Sequence, residues 1–485
     1  MEKRTRKETP AKKEATDEKV STHPKDDRRA PPAPIPPGPA AGPPLACLLA
    51  LAACAPGGAA DAEPAPIEVP PPVEQTNEGL TIYYTDADPA YTSLLDAAVI
   101  QYNAQHPDQP LTAEKIFTEG SDIVQEQENQ QMLTEVMAGE GPDLILLVDD
   151  TMDVEKMARR GVFADMEPYF EADAFDWSGY NEAVMNGGVW DGHRLVIPLE
   201  YQIPVWYSSK SALEESGFQV ENCATFEGFL DEAEKLQNTP GQTRSLYRTF
   251  LAFNDFAQYA GIPYADYARQ RADFSAPELE RGLNVYRNVT DLHYDNDELP
   301  GAADIRDGKA LWISPVFPPT GVLIGAGLIN TFDELVMMPL RDLEGGIRAK
   351  ITLSVAVSNS SPNLQNAYEF IKFLLSEQFQ LDTMDWRWQN FSVLDATNEE
   401  HFRYNTTDRH TALIRPDNSG GFTDVEPRWE DFDAVMAYAD QVAGVFYPCE
   451  QTRFVDVMEK YLSGETSYAN AAKAAQSQLN IYLSE

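Results

Sequence analysis

Between Gly139 and Asp150 the chain reads GEGPDLILLVDD, and the five residues Leu144–Val148 carry no polar side chain at all. A strand that is apolar on both faces has to be covered on both faces, which happens inside sheets flanked by helices. The flanks supply such helices. Tyr91, Leu94, Leu95, Ala98, Val99 and Tyr102 fall on one helical face before His106-Pro107 ends it, and Met132, Leu133, Val136 and Met137 repeat the pattern. With Leu80–Tyr84 and Leu111–Phe117 as extended runs, the region alternates strand, helix, strand, helix, strand, which is an α/β pattern. After Val148, Asp153 is placed to cap a short helix that buries Val154, Met157 and Ala158 and stops at Gly161.

The stretch VWDGHRLVIPLEYQIPVWYSSK, residues 189–210, then sets the architecture. It reads as a turn at Asp191-Gly192, an apolar run Leu195–Ile197 ended by Pro198, a polar-aromatic triplet Glu200-Tyr201-Gln202, and a second extended run Val205–Tyr207. Two strands separated by a polar corner are what a chain shows when it leaves one lobe for another. Farther on, helical stripes lie at Phe226, Phe229, Leu230, Ala233 and Leu236 and at Leu279, Leu283, Tyr286 and Val289. Ile351–Val357 is a run able to cross back, and Ser361-Pro362 is the expected start of a helix with Ala367, Phe370, Ile371, Leu374 and Leu375 on one face. Two amphipathic helices close the chain, on Phe454, Val457, Met458, Tyr461 and Leu462 and on Tyr468, Ala472, Ala475, Leu479 and Tyr482.

At 485 residues the chain is long enough for two or three domains. Its formal net charge of −41 repels phosphate backbones and anionic headgroups, so neither nucleic acid nor a membrane surface is an expected partner. Attachment to a membrane would need an anchor, and Leu45–Ala53 followed by Cys54 offers one. Nine small or apolar residues are too few for a span and fit a signal-peptide core. The ending Leu51-Ala52-Ala53-Cys54 is similar to the lipobox of bacterial lipoproteins, which implies lipid attachment at Cys54. The Pro- and Ala-rich residues 54–78 that follow have no apolar periodicity and read as an extended spacer.

Four stretches in order resemble the extracellular solute-binding proteins of bacterial ABC importers, the maltose-binding-protein-like family 1. They are AGEGPDLILLVDD with the following GVFADMEP, the crossing at 189–210, Gly308-Lys309-Ala310 before Leu311-Trp312-Ile313, and the helix AYEFIKFLLSEQFQ beginning at Ala367. The resemblance runs over roughly residues 80–485 and implies a type II periplasmic-binding-protein-like α/β fold. Two lobes would be joined by hinge strands, with the ligand held in the cleft between them. The lobes are expected at 79–199 with 352–382 and at 200–351 with 383–485, after a pre-sequence at 1–53. It further implies a monomer that makes no chemical change to its ligand, works with ABC-transporter permease subunits, and is lipid-anchored on the outer face of the cell membrane.

Ligands of open α/β sheets sit beyond the carboxyl ends of the strands. On that basis the candidate ligand contacts are Tyr83, Asp86, Asp149 and Asp150 on the first lobe, and Glu200, Tyr201 and Gln202 at the crossing. On the second lobe they are Trp312, Phe317, Trp386 and Trp388. Carboxylates and amides suit several hydroxyls, and aromatic faces suit the C–H face of a sugar ring, so the expected ligand is a mono- or oligosaccharide. Alternatives stand beside each. Asp149 and Asp150 equally suit a helix cap, one of Tyr83 and Tyr84 is core, Trp386 and Trp388 divide evenly between cleft and core, and Trp190 and Trp206 read as core. The acidity leaves a peptide or polyamine as a second ligand class, with a secreted glycoside hydrolase or a surface adhesion protein behind it.

No GxSxG, HExxH, P-loop or GxGxxG motif occurs, and the six histidines form no metal-spaced pair, so no cofactor, metal or catalytic residue is expected. Asp417–Gly421 with Asp424 and Glu426 lacks the spacing of a calcium loop and reads as a surface turn. Cys223 and Cys449 are either bridged or two buried thiols.

Overall fold

The computed structural model describes residues 66–85, 89–116, 122–148, 151–248, 253–289, 302–313, 335–384, 390–407, 413–416, 422–425, 429–448 and 452–484. Two sheets organise them. The strands of the first lobe open the chain: β1 (Leu80–Thr85), β2 (Leu111–Ile116) and β3 (Leu144–Val148), all parallel, with β1 in the middle. Two-residue strands β4 (Val189–Trp190) and β5 (His193–Arg194) form a hairpin whose turn residues Asp191 and Gly192 both have positive φ, as a tight Asp-Gly turn requires. β6 (Ile197–Gln202) stays in the first sheet, and β7 (Val205–Ser209) belongs to the second.

The second sheet is completed by β8 (Ser245–Arg248), β11 (Ala310–Ile313) and β12 (Leu335–Pro339), in the order β12-β7-β11-β8. Between them lies a small hairpin of β9 (Ala265–Asp266) and β10 (Arg271–Ala272). The chain returns on β13 (Ile347–Val357), eleven residues that pair antiparallel with both β3 and β6. β14 (Phe391–Ser392) borders β6, the pair β15 (Leu413–Pro416) and β16 (Phe422–Val425) stands apart, and β17 (Val442–Phe446) joins β13 in parallel. Three passages therefore link the lobes: β6 to β7, β12 to β13, and the exit from β17 toward the last helix, Tyr468–Ser484.

β3 is 0 to 3% exposed along its whole length, as an apolar run demands. It is parallel to β1 and antiparallel to β13, so the first sheet is mixed. Pro198 does not end its strand but lies inside β6. The register of β6 against β13 shifts between Leu353 and Ser354, next to the Pro198 pairing, and an irregularity there tolerates a residue without an amide proton.

The helix start expected at Ser361-Pro362 falls later: the helix is Leu364–Leu375, with Asn363 before it. Its first amides are capped from far away, Leu364 N donating to Gln75 Oε1 at 2.9 Å and Gln365 N to Asn77 Oδ1 at 3.2 Å. Those partners belong to residues 66–79, which lie along the first lobe instead of standing clear of it as a spacer would. Ile67 is 7% exposed and its amide donates to Asp191 Oδ2 at 2.8 Å. Thr76 N and Asn77 N both donate to Pro362 O, and Glu78 N donates to Asn363 Oδ1 at 2.8 Å. The strap passes Gly161, where φ is +68° and an added Cβ would stand 3.0 Å from Glu68 O. Burial of Ile67 contributes roughly 2 kcal/mol, and the four prolines of the strap lower the entropy it loses on docking.

Beneath the strap, Asp143 ties three elements together. Its carboxylate is buried and accepts from Thr81 N at 2.7 Å, Thr81 Oγ1 at 2.9 Å, Ser361 Oγ at 2.6 Å and Asn363 Nδ2 at 3.0 Å. Among the described residues no helix is long and apolar enough to cross a membrane.

Candidate functional site

Polar side chains gather at the first turn of the helix Val154–Arg159, which meets the second lobe at Tyr267. Asp153 caps this helix through Oδ1, 3.1 Å from Lys156 N, while Val154, Met157 and Ala158 bury its inner face against β3. From here to the hinge strands runs a cavity of about 250 Å³. Asp153, Glu155 and Trp190 line it from the first lobe, Tyr264 and Tyr267 from the second, Arg348 from the returning strand β13 and Tyr447 from just after β17. Trp190 and Tyr447 form an aromatic wall, their rings 5.7 Å apart and tilted by 36°.

Burial shapes the charges in this cavity. Loss of water raises the pKa of Glu155, against the opposing pull of Arg159, whose Nη2 lies 2.9 Å from Glu155 Oε1. Burial also lowers the Arg348 pKa, although Asp342 opposes the change; Arg348 Nη2 donates to Val445 O at 3.1 Å, which ties β13 to β17. The Tyr447 hydroxyl is driven above the ordinary phenol range by burial. Beside the cavity, Lys350 of β13 pairs with Asp255 at 3.1 Å, both side chains mostly buried. Such a set of acceptors, donors and ring faces can bind a polar ligand. None of these side chains forms a nucleophile–base pair, and among the described residues no group of His, Cys, Asp and Glu is placed to hold a metal ion.

The candidate contacts read from the sequence divide into three groups. Glu200 and Gln202 share one face of β6 and meet at Asn390, Asn390 Nδ2 donating to Glu200 Oε2 and Gln202 Nε2 donating to Asn390 Oδ1, each at 2.6 Å. Glu200 is wholly buried and Asn390 is 5% exposed, so this relay ties Asn390 to the crossing strand. Tyr201, Trp312 and Tyr83 sit elsewhere. Tyr201 turns the other way along the strand and stacks on Phe391 at 5.1 Å, and Trp312 packs on Trp206 and Phe218 in the second lobe's core, both at 0% exposure. Tyr83 is 5% exposed among Met132, Val136 and Ile145, and Tyr84 is buried as well, its hydroxyl donating to Asp96. A strand covered on both faces leaves neither tyrosine in a cleft, which the alternation at Ile82–Tyr84 could not reveal.

Asp86, Asp149, Asp150, Phe317, Trp386 and Trp388 lie outside the described residues, as do Cys54, Cys449 and 417–421. Cys223 is a free, buried thiol, and burial pushes its pKa up to about 12. Sequence reasoning placed Trp190 in the core, yet it is half-buried at the cavity wall. Tyr267, Arg348 and Tyr447 gave no signal, because each reaches the cavity only through the return of β13, β17 and the β9–β10 hairpin. A larger void, about 700 Å³, lies on the first lobe under Pro70–Pro72, between Tyr169 and Tyr368. It is walled by the strap and one lobe alone, so lobe closure has no purchase on it.

Two α/β lobes, three linking passages and a polar, aromatic cavity between them define a binding protein of the two-lobe type. The family model for bacterial extracellular solute-binding proteins matches residues 83–381, and the chain belongs to that family. It is accordingly a solute-binding protein and not an enzyme. The fold is shared with the substrate-binding protein Lmo0181 of Listeria monocytogenes in complex with cycloalternan, at 17% identity, TM-score 0.53, and 84% of this chain covering 100% of that one. It is also shared with the sugar-binding protein MalE of Xanthomonas citri, at 14% identity, TM-score 0.56, and 84% of this chain against 97% of that one. The cyclic alpha-maltosyl-1,6-maltose binding protein of Arthrobacter globiformis aligns at 17% identity, TM-score 0.52, over 85% and 99% of the two chains. No curated protein matches the chain.

Proposed function

We propose that the protein captures a mono- or oligosaccharide between its lobes and passes it to the permease subunits of an ABC importer, held to the outer face of the membrane by a lipid on Cys54. The observation that carries the carbohydrate reading is the interlobe cavity, whose lining joins an indole–phenol wall at Trp190 and Tyr447 with the carboxylate of Glu155. Ring faces cover the C–H surface of a pyranose while carboxylates accept from its hydroxyls. The fold neighbours named above, one in complex with cycloalternan, one a sugar-binding protein and one a cyclic alpha-maltosyl-1,6-maltose binding protein, support the same class. Asp86, Asp149, Asp150, Glu200, Gln202, Phe317, Trp386 and Trp388 complete the proposed site, with Glu200 and Gln202 acting through Asn390.

The test is a thermal-shift screen against mono- and oligosaccharides, peptides and polyamines. A ligand at a hundred times its Kd adds about 2.7 kcal/mol to a folded state that alone binds it, a shift read easily in the unfolding midpoint. A sugar hit is expected, and Trp190→Ala should raise its Kd at least about tenfold, the scale of one ring contact of about 1.4 kcal/mol. Shifts only with polyamines or basic peptides would replace the carbohydrate reading with a cationic ligand drawn by Glu155. For the anchor, Cys54→Ser should release the protein from membranes, and continued retention would reject it.

A further inference from the structure

Asp153 does more than cap its own helix. With Oδ1 committed to Lys156 N, its Oδ2 accepts from Tyr482 Oη at 2.6 Å and from Tyr267 Oη at 3.1 Å. One turn on, Lys156 Nζ donates to the Tyr482 carbonyl at 2.8 Å and stands 3.7 Å over the Tyr482 ring. The two sides of this contact belong to different lobes. Asp153 and Lys156 ride on the helix packed against β3. Tyr267 lies in the β9–β10 turn, and Tyr482 on the last helix, Tyr468–Ser484. Those two are one body, since Ala272 N donates to Asn480 Oδ1 at 2.6 Å and Tyr468 Oη to Phe274 O at 2.7 Å. Away from the hinge strands, four polar contacts therefore converge on a single helical turn.

We propose that Asp153 is the catch of a latch, closed by Tyr267 and Tyr482, that holds the lobes together before ligand arrives. The inference rests on the reading of this protein as a two-lobe binder, and it concerns the energetics of closure, not the identity of the ligand. Asp153 is thus a positioning residue. Apparent affinity for a ligand of the closed form scales with the fraction of molecules already closed, so the latch sets affinity without requiring a further ligand contact. Its strength comes from a carboxylate acceptor, which makes each hydroxyl bond stronger than a neutral one. Its reversibility comes from position: Asp153, Lys156, Tyr267 and Tyr482 are all only half-buried, so water replaces the contacts when the lobes part.

The experiment measures lobe separation in the full chain without ligand, by dipolar spin-label distances between Glu171→Cys on the first lobe and Gln237→Cys on the second. Both positions are exposed. The double variant Tyr267→Phe/Tyr482→Phe keeps the rings and removes only the hydroxyls. It should cut the ratio of closed to open molecules about tenfold, equivalent to about 1.4 kcal/mol. Asp153→Asn retains a capping oxygen for the helix and should shift the ratio in the same direction; it decides the matter if the double variant fails to fold. A distance distribution unchanged in a folded variant overturns the latch, whatever sugar the protein binds. Lengthened distances establish it even if every sugar fails, in which case only the carbohydrate reading falls.

Discussion

Two segments distant in sequence are fastened to the first lobe, and they are fastened differently. The strap at 66–79 is held by Ile67 in an apolar cluster, by backbone bonds to Pro362, and by side chains that cap the helix Leu364–Leu375, above the buried Asp143 hub. The C-terminal helix touches the same lobe through polar groups at Asp153 and Lys156 that remain half in water. The bonds of the buried Asp143 hub cost their full desolvation when broken, whereas the half-exposed ones at Asp153 exchange with solvent. The first attachment is structural and permanent, and the second can open and close.

The sharpest way to break that comparison is Asp143→Ala. It leaves buried donors on Thr81, Ser361 and Asn363 without their acceptor, and should lower unfolding stability by about 3 kcal/mol. Urea denaturation would show it; a loss under about 1 kcal/mol would mean the hub is not what seats the strap. Next in size is Gln75→Ala with Asn77→Ala, which uncaps a helix from outside and should cost about 1.5 kcal/mol. Amide exchange at 66–79 should rise in this variant while the β3 core stays protected, and uniform exchange across the lobe would contradict a locally docked strap.

A third region sits between these extremes. Burial and the neighbouring Asp440 raise the Asp395 pKa to about 6, beside the buried Tyr201 of the crossing strand. A carboxyl with a raised folded pKa binds its proton more tightly when folded, so its contribution is present below the unfolded value near 4 and is lost as pH rises to about 6. After discounting for partial exposure the change is about 1 kcal/mol. Asp395→Asn should flatten that part of the stability–pH curve, and an unaltered slope would assign the dependence to other groups. The smallest effect belongs to the latch. Tyr267→Phe/Tyr482→Phe should change global stability by less than about 1 kcal/mol, because half-exposed hydrogen bonds contribute little to unfolding. A drop in urea midpoint as large as that of Asp143→Ala would make the contact structural and abolish the contrast.

Much of the fold was legible residue by residue. Leu144–Val148 could only be a doubly covered strand, Asp153 and Gly161 bounded their helix, and the crossing at 189–210 separated two sheets as the order of polar and apolar residues implied. The site was legible only in part. Glu200 and Gln202 lie at the crossing, but Tyr83, Tyr201 and Trp312 are core, because alternation along a strand tells two faces apart without telling which face is covered. A place beside a strand reads Trp190 as core for the same reason, and the structure puts it at the cavity.

By itself, then, the sequence determined the local elements, the α/β class and the succession of lobes, since these follow from periodicity, turn chemistry and motif order within short stretches. Only the tertiary structure decided that a Pro-rich segment caps a helix nearly three hundred residues away, and that the last helix meets Asp153 across the lobes. Both depend on side chains brought together by the return of the chain, and no spacing along a single segment encodes the distance between them.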